Sequence, residues 1–434
     1  MKFSVITLGC KVNAFESERY VQNLKAAGYV YVDNKDVADI YIINSCAVTN
    51  AAANKTRQRI NQAYRLNPEA LIVLIGCYAQ IETEKLLEND KIDLLVGSNK
   101  KSELVDLIKQ VLAGKSIVAV DKDQRNFDYE DLGISAFSSQ HRAFLKVQDG
   151  CDQFCSYCII PFARGRERSQ QLDVVIDNAK FLVAKGHQEI VLSGIHTGRY
   201  GNDINTNLYT LMDKILEEVT NLKRLRVSSI EVLEISDEII KLAKNNTTLA
   251  NHWHIPLQAG NDKILKAMNR RYTSGQYKEM IEHIKEELPN VSISADVIVG
   301  FPGESEKDFN DTYKFIEDLK LSFLHVFPYS PKTNTVAANL PSHVDGNIKK
   351  ERVRKLLHLS DKLKNNYLNS FKTQKVLVFV EGIEDGYYKG YTSEYFEVRF
   401  KSDRDEMNNF VSVIINEVKG DIAYGKASWI CKKS

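Results

Sequence analysis

Near its start the chain repeats one local design three times: a short apolar run, a cysteine, then a helical pattern. The repeats end in TLGC, NSC and IGC and place Cys10, Cys46 and Cys77 just past the apolar runs. Residues 2–8, 40–44, 71–75 and 92–96 have the length and composition of strands, and 14–27, 49–66 and 82–88 read as helices between them. This βαβα order calls for a parallel sheet with helices on both faces. All strand-to-helix turns of such a sheet open at one edge, where ligands bind. Cysteines remote in sequence are therefore expected to converge there, each near a helix N-terminus whose dipole favours the thiolate. Buried cysteines are common in apolar strands, but unrelated ones would not share this placement on successive strands. The three are read as ligands of a metal cluster.

A second set is closer in sequence. The segment KVQDGCDQFCSYCIIPFARGRERS spaces Cys151, Cys155 and Cys158 as Cys-x3-Cys-x2-Cys beyond another strand candidate. Three such thiolates can hold one face of a 4Fe–4S cluster, which wants four ligands. One iron is left open to an exogenous chelator, for instance the amine and carboxylate of a methionine. A structural zinc site normally brings a fourth Cys or His close by, and the motif has none. The whole chain of 434 residues has seven cysteines, an odd number, and MKFSVITLGC lacks a secretory cleavage site, so a disulfide framework is a poor explanation. Cys431 receives no role.

Length suggests about three domains. After the N-terminal α/β domain (1–120), the polar stretch 121–141 reads as a linker. Strand candidates then recur at 143–148, 189–193, 225–230, 252–257, 292–299 and 323–327, with helices such as 172–185 and 308–319 between them. Six βα units imply a partial (β/α)6 barrel, open on one side, over 142–372; a long charged helix is expected at 347–368. Residues 373–434 cluster β-formers punctuated by Gly and read as a small β-barrel, OB-like in size. No run of about 18 apolar residues is present, so no transmembrane helix is expected, and the location is expected to be cytoplasmic. The net charge of +1 does not announce a nucleic-acid binder. Local clusters do carry charge: Arg164, Arg166 and Arg168; Lys223, Arg224 and Arg226; Arg270 and Arg271; and 349–355. Solvated faces would explain any one of them equally well.

Cys151, Cys155, Tyr157 and Cys158 at the end of the first strand of the alternating domain resemble the radical S-adenosylmethionine superfamily. The resemblance implies that the cysteines hold a 4Fe–4S cluster and that Tyr157 packs beside the adenine of bound S-adenosylmethionine. Gly194, Ser229, Glu231, Gln258 and Gly300, at successive strand ends, are expected to complete the cofactor site. The segments GCKVN, NSCAVT and GCYAQ are further similar to the N-terminal motifs of methylthiotransferases, which join such a domain to a radical S-adenosylmethionine domain and an RNA-binding TRAM barrel. All three parts occur here in order. GCKVN and CDQFCSYCIIPFARGRERS are most like the MtaB group, which modifies carbon 2 of N6-threonylcarbamoyladenosine at position 37 of tRNA. Ala14 and Ala259 depart from the motifs, and neither is a ligand.

The resemblance implies two 4Fe–4S clusters, the second on Cys10, Cys46 and Cys77. S-adenosylmethionine would supply a 5′-deoxyadenosyl radical, and a second molecule of it the methyl group. It also implies a tRNA anticodon loop as partner, an external electron donor and a sulfur source. Arg164, Arg166 and Arg168 are expected to hold RNA phosphates. Tyr387, Tyr388, Tyr391, Tyr395 and Phe396 offer either stacking surfaces or ordinary barrel core. Relatives acting on isopentenyladenosine or on a ribosomal-protein aspartate are the nearest alternatives. A non-catalytic iron–sulfur protein that binds RNA or relays electrons is the alternative of another class.

Overall fold

The apolar runs KFSVIT, IYIINS and LIVLIG form β1 (Lys2–Thr7), β3 (Ile40–Ser45) and β4 (Leu71–Gly76) of a parallel sheet. With β2 (Val30–Tyr31), β5 (Leu94–Val96) and β6 (Ile117–Ala119) the order is β2-β1-β3-β4-β5-β6. In register, Val5 faces Ile42, Ile42 faces Val73 and Val73 faces Leu94. Side chains alternate between two cores. Tyr41, Ile43, Ile72 and Leu74 fill one face, and Phe3, Ile40, Ile42, Val73 and Ile75 the other. The helices are α1 (Lys11–Ala26), α2 (Asn50–Leu66), α3 (Cys77–Ile81), α4 (Thr83–Leu87) and α5 (Leu104–Leu112). Thr49 caps α2 by accepting from the Ala52 N–H. β2 and β6 go beyond the sequence expectation, being too short to register as a period.

The computed structural model describes residues 1–123, 127–134 and 142–428. Of the expected linker, 124–126 and 135–141 lie outside the described residues, as does Cys431. Its described part is packed rather than loose. Leu132 joins the core beneath the sheet, its carbonyl accepts from Arg19, and the Tyr129 hydroxyl donates to the Lys146 carbonyl. The chain forms two bodies, Met1–Thr220 with Ser330–Ala338, and Asn221–Tyr329 with Asn339–Ser434.

The first body continues with β7 (Arg142–Lys146), paired in parallel with β10 (Glu189–Ser193). Between them β8 (Gln148–Asp149) and β9 (Arg168–Ser169) pair antiparallel and bracket the second cysteine set and α6 (Ile160–Arg164). Helices α7 (Leu172–Ala184) and α8 (Leu208–Glu218) complete it.

The second body begins with β11 (Arg224–Val227) and α9 (Asp237–Asn245). It carries the parallel set β12 (His252–His254), β13 (Ser292–Val299) and β14 (Phe323–Pro328). β12 stops short of the expected 257 because Pro256 has no N–H to donate. Helices α10 (Asp262–Ala267), α11 (Ser274–Glu287) and α12 (Glu306–Leu319) lie between these strands in sequence. The expected charged helix is α13 (Gly346–Asn369), pinned to β14 where Ser360 Oγ accepts from the Leu324 N–H. A closed five-stranded barrel follows, in the order β15-β16-β17-β19-β18. Its strands are β15 (Lys375–Glu384), β16 (Tyr387–Tyr391), β17 (Glu397–Lys401), β18 (Phe410–Lys419) and β19 (Ile422–Ala427). Val378, Val398, Phe400, Val413 and Ile415 fill it, and Leu368 and Phe371 from the end of α13 plug the same core. No described helix is long and apolar enough to cross a membrane.

Candidate functional site

Each of the first three cysteines occupies a strand-to-helix turn of the N-terminal sheet. Cys10 is the N-cap of α1, Cys46 follows β3, and Cys77 opens α3. The turns press together at Gly9. A Cβ built there would lie 2.9 Å from Cys46 Cβ and 3.2 Å from its sulfur, and φ is +114°, so only glycine fits. Two asparagines stitch the turns. Asn13 Nδ2 donates to the Leu8 carbonyl (2.8 Å) and to the Ser45 carbonyl (3.2 Å), while its Oδ1 accepts from the Cys10 thiol (3.4 Å). Asn44 Nδ2 donates to the Asn13 carbonyl and to Ser17 Oγ, both at 3.0 Å. Ser45 Oγ donates to the Ile75 carbonyl at 2.7 Å, tying β3 to β4 beside Cys77.

Behind the cysteines lies a buried charge network. Arg164, fully buried, donates through Nε to Cys77 Sγ at 3.1 Å. Its Nη1 reaches Glu16 Oε1 and Asp149 Oδ1, each at 3.0 Å, and its Nη2 reaches Asn13 Oδ1 at 2.9 Å. Lys101 Nζ lies 2.5 Å from Glu16, Lys146 Nζ 2.6 Å from Asp149, and Arg168 Nη2 3.8 Å from Asp149. Burial pushes the Glu16 carboxyl up, but Arg164, Lys101 and Lys146 outweigh it and hold the group at about 2. Asp149 is likewise held well below the usual carboxylate range: burial raises it, and Arg164 and Lys146 more than compensate. Four cations thus face two carboxylates, leaving a buried surplus of positive charge against the Cys77 sulfur.

Two of the thiols, Cys10 and Cys46, depart from the dipole-based expectation. Cys10 keeps an edge open to solvent, yet crowding around its sulfur raises its pKa against the pull of Arg164. Burial, reinforced by Cys77, takes Cys46 to about 12. Helix N-termini do not overcome desolvation here, and binding a cation cluster must expel these protons. The donor set fits an iron–sulfur cluster: three sulfurs on one sheet edge, backed by surplus cations that offset anionic ligation.

The second set lies on the loop between β8 and α6. Cys155 is buried, and Cys151 and Cys158 are half-buried. The Cys151 N–H donates to the Gly165 carbonyl and the Cys158 N–H to the Cys155 carbonyl. Gly150 has φ +74°, and a Cβ there would sit 1.8 Å from the Arg166 carbonyl oxygen, so the return strand demands glycine beside Cys151. Cys151 Sγ lies 3.5 Å from His196 Nδ1, and the His196 N–H donates to Gln148 Oε1. Three cysteines within eight residues of one loop match the donor set of a cluster with one open iron.

The remaining expected site residues fall as follows. Tyr157, half-buried, and Gly194, just past β10, belong to the first body. In the second body Ser229 and Glu231 follow β11, Gln258 follows β12 and Gly300 follows β13. Ser229 bridges His254, and Gln258 bridges Val297 with φ +64°. Glu231 is ion-paired with Arg270, and the Gly300 N–H donates to Glu304.

The basic clusters need correction. Arg164 and Arg168 do not present phosphate contacts: both are buried, and Arg168 Nη1 donates to the Arg164 carbonyl. Only Arg166 of the three is exposed. Arg224 and Arg226 are also buried and hold the barrel. Arg224 donates to the Tyr391 and Leu377 carbonyls, and Arg226 to those of Thr392 and Ser393 while lying 4.9 Å over the Tyr395 ring. Phe396 is barrel core, and Tyr391 and Tyr395 stack on each other. Tyr387 is different: it meets Tyr424 edge-on, with Lys401 and Lys419 over the two rings.

Sequence reasoning did not single out Asn13, Glu16, Asn44, Asp149 or His196. Three of them had a signal: Asn13 and Asn44 sit three and two positions from a cysteine, and Asp149 two before Cys151.

Residues 2–97 match a family model described as uncharacterized protein family UPF0004, and 145–316 match the radical SAM superfamily. The chain is 40% identical to the threonylcarbamoyladenosine tRNA methylthiotransferase MtaB of Bacillus subtilis, over 98% of this chain and 95% of that one. It is 37% identical to the protein of that name from Aquifex aeolicus, over 96% and 100%. A tRNA-2-methylthio-N(6)-dimethylallyladenosine synthase from a Thermoanaerobacter species is 32% identical, over 96% and 90%. Among solved structures, the radical S-adenosylmethionine methyltransferase TsrM of Kitasatospora setae superposes with a TM-score of 0.58 at 13% identity, covering 78% of this chain and 76% of that one, a likeness of fold.

Proposed function

The chain belongs to the radical S-adenosylmethionine methylthiotransferases, and on that premise we propose that it adds a methylthio group to carbon 2 of N6-threonylcarbamoyladenosine at position 37 of tRNA. Enzymes of this superfamily use S-adenosylmethionine and a 4Fe–4S cluster. The observation that carries the proposal is Arg164. It follows the Cys158 motif in sequence, yet it bonds the Cys77 sulfur and Asp149, two residues before Cys151. One buried side chain thereby braces both cysteine sets. The substrate follows the relatives whose names specify threonylcarbamoyladenosine.

Cys151, Cys155 and Cys158 would hold the cluster that serves S-adenosylmethionine, and Cys10, Cys46 and Cys77 a second one. When bound, these groups supply the radical chemistry that an unactivated aromatic C–H bond requires and that no side chain offers. The protein's part is position. Asn13 and Asn44 fix the three N-terminal turns, and the Glu16–Arg164–Asp149 core fixes those turns against the second loop. Tyr157, Gly194, Ser229, Glu231, Gln258 and Gly300 are proposed to line the S-adenosylmethionine site. Arg166 and the Tyr387–Tyr424 pair are proposed to meet the anticodon arm. Residues 1–120, 142–372 and 373–434 are read as the methylthiotransferase, radical and TRAM domains.

The test is nucleoside mass spectrometry of total tRNA from cells with and without the gene. The methylthio signal on threonylcarbamoyladenosine should vanish in the deletion and return with wild type, but not with Cys151→Ala or Cys46→Ala. Unchanged tRNA would overturn the substrate assignment.

A further inference from the structure

A cavity of about 170 Å³ opens in the first body, and its lining includes Ala47, Tyr78 and Ile159. These are the residues next in sequence to Cys46, Cys77 and Cys158, so the cavity borders both cysteine sets. Lys332 enters its wall from the segment Ser330–Ala338, which is held down where the Ala337 N–H donates to the Ser156 carbonyl at 2.8 Å.

The charges in this wall are unbalanced. Arg57, Lys85, Lys332 and Glu82 all line it. Glu82 is committed to Lys85 at 2.9 Å. Arg57 is oriented by Tyr78, donating to its hydroxyl at 2.9 Å, and Lys332 by Asn50, donating to its Oδ1 at 3.0 Å. Neither Arg57 nor Lys332 forms a salt bridge among the described residues. Two oriented cations with no salt-bridge partner among the described residues, around a space the size of a small organic group, describe a receptor for a carboxylate.

We propose that this cavity receives the carboxylate-bearing side group of the substrate base, with Arg57 and Lys332 as its specificity-determining residues. The inference rests on the threonylcarbamoyladenosine reading above. The threonyl carboxylate accepts from both cations, and the cavity's borders leave the attached adenine next to the two cysteine sets. An apolar prenyl group in the same space would desolvate the cations with no compensating bond, which disfavours that alternative base.

The test uses the cluster-loaded enzyme and two anticodon stem-loop RNAs, one carrying threonylcarbamoyladenosine and one plain adenosine. Fluorescence anisotropy reads the affinities, and mass spectrometry reads methylthiolation of the first RNA by wild type. Wild type should bind the modified RNA about tenfold more tightly, a difference of about 1.4 kcal/mol. Arg57→Gln and Lys332→Gln should each erase most of that preference while keeping the affinity for plain RNA; Arg65→Gln, at the far end of α2, should preserve it. Circular dichroism and iron content identify any variant that has lost its fold or clusters, and for such a position Arg57→Met or Lys332→Met replaces it. If wild type modifies the RNA but both cation variants keep the preference, the cavity assignment is overturned and the substrate reading stands. If wild type neither prefers nor modifies it, the substrate reading falls and takes this inference with it.

Discussion

Arg164 Nε lies 3.1 Å from the sulfur of Cys77, and the same guanidinium reaches Glu16 and Asp149. A buried cation that serves a sulfur and two carboxylates at once cannot be removed without breaking all three contacts. Arg164→Met should therefore cost the apo-protein at least about 1.5–3 kcal/mol in urea unfolding, the worth of one hydrogen bond to a charged group, while Lys101 and Lys146 stay paired with Glu16 and Asp149. The variant should also retain less iron after reconstitution. Arg164→Lys, which keeps the charge but not the planar fork, should fall between the two. Wild-type stability in the Met variant would show that the network is not structural.

The same core sets an acid limit. Glu16 has its pKa lowered from 4.5 to about 2, and a carboxyl depressed by folding stabilises the native state above its unfolded value. That stabilisation is lost as pH falls from about 4.5 towards 2, and Asp149 contributes in the same direction. In denaturant titrations the apo-protein should weaken through this window. The gap between wild type and Glu16→Gln should be widest at neutral pH and narrow on acidification. A gap that stays constant with pH would contradict the assignment.

Arg226 secures the barrel by donating to the Thr392 and Ser393 carbonyls under the Tyr395 ring. Arg226→Ala takes the side-chain donor from the half-buried Ser393 carbonyl and leaves the Thr392 carbonyl only the Tyr395 N–H, at a cost of about 1–3 kcal/mol for a group left unsatisfied. Limited proteolysis should then release the barrel earlier, with cleavage near 370–375, while iron binding at the cysteines is unaffected.

On the barrel surface, Tyr387 and Tyr424 with Lys401 and Lys419 present aromatic rings beside cations. Replacing both tyrosines by Ala should weaken tRNA binding by about 1–3 kcal/mol per lost stack, with the fold intact by circular dichroism. Tyr391→Ala, inside the barrel seam, should instead lower stability.

Local order was legible in the sequence where the chain obeys a period. The strands at Glu189–Ser193 and Ser292–Val299 begin and end where the apolar runs do, and the three cysteine turns stand at the strand ends that alternation predicts. Arginine roles were not legible. Arg164 finds Glu16 at a separation of 148 residues, and nothing local distinguishes it from exposed Arg166. Arg224 and Arg226 share one face of β11 by the two-residue repeat of a strand, so a run that looks solvated turns inward as a pair. The thiol pKa values failed for a related reason. A dipole is visible in a helix start, whereas desolvation depends on everything that later packs around the sulfur.

The segment Ser330–Ala338 belongs to the first body although the chain on either side of it belongs to the second. The polypeptide therefore crosses from one body to the other more than once. A fragment ending at Thr220 lacks a strip of its own surface, including Lys332 and the Ala337 anchor. The N-terminal half is consequently not a transferable module. Gene truncation or domain grafting at that boundary would separate a wall of the cavity from the cysteines it borders.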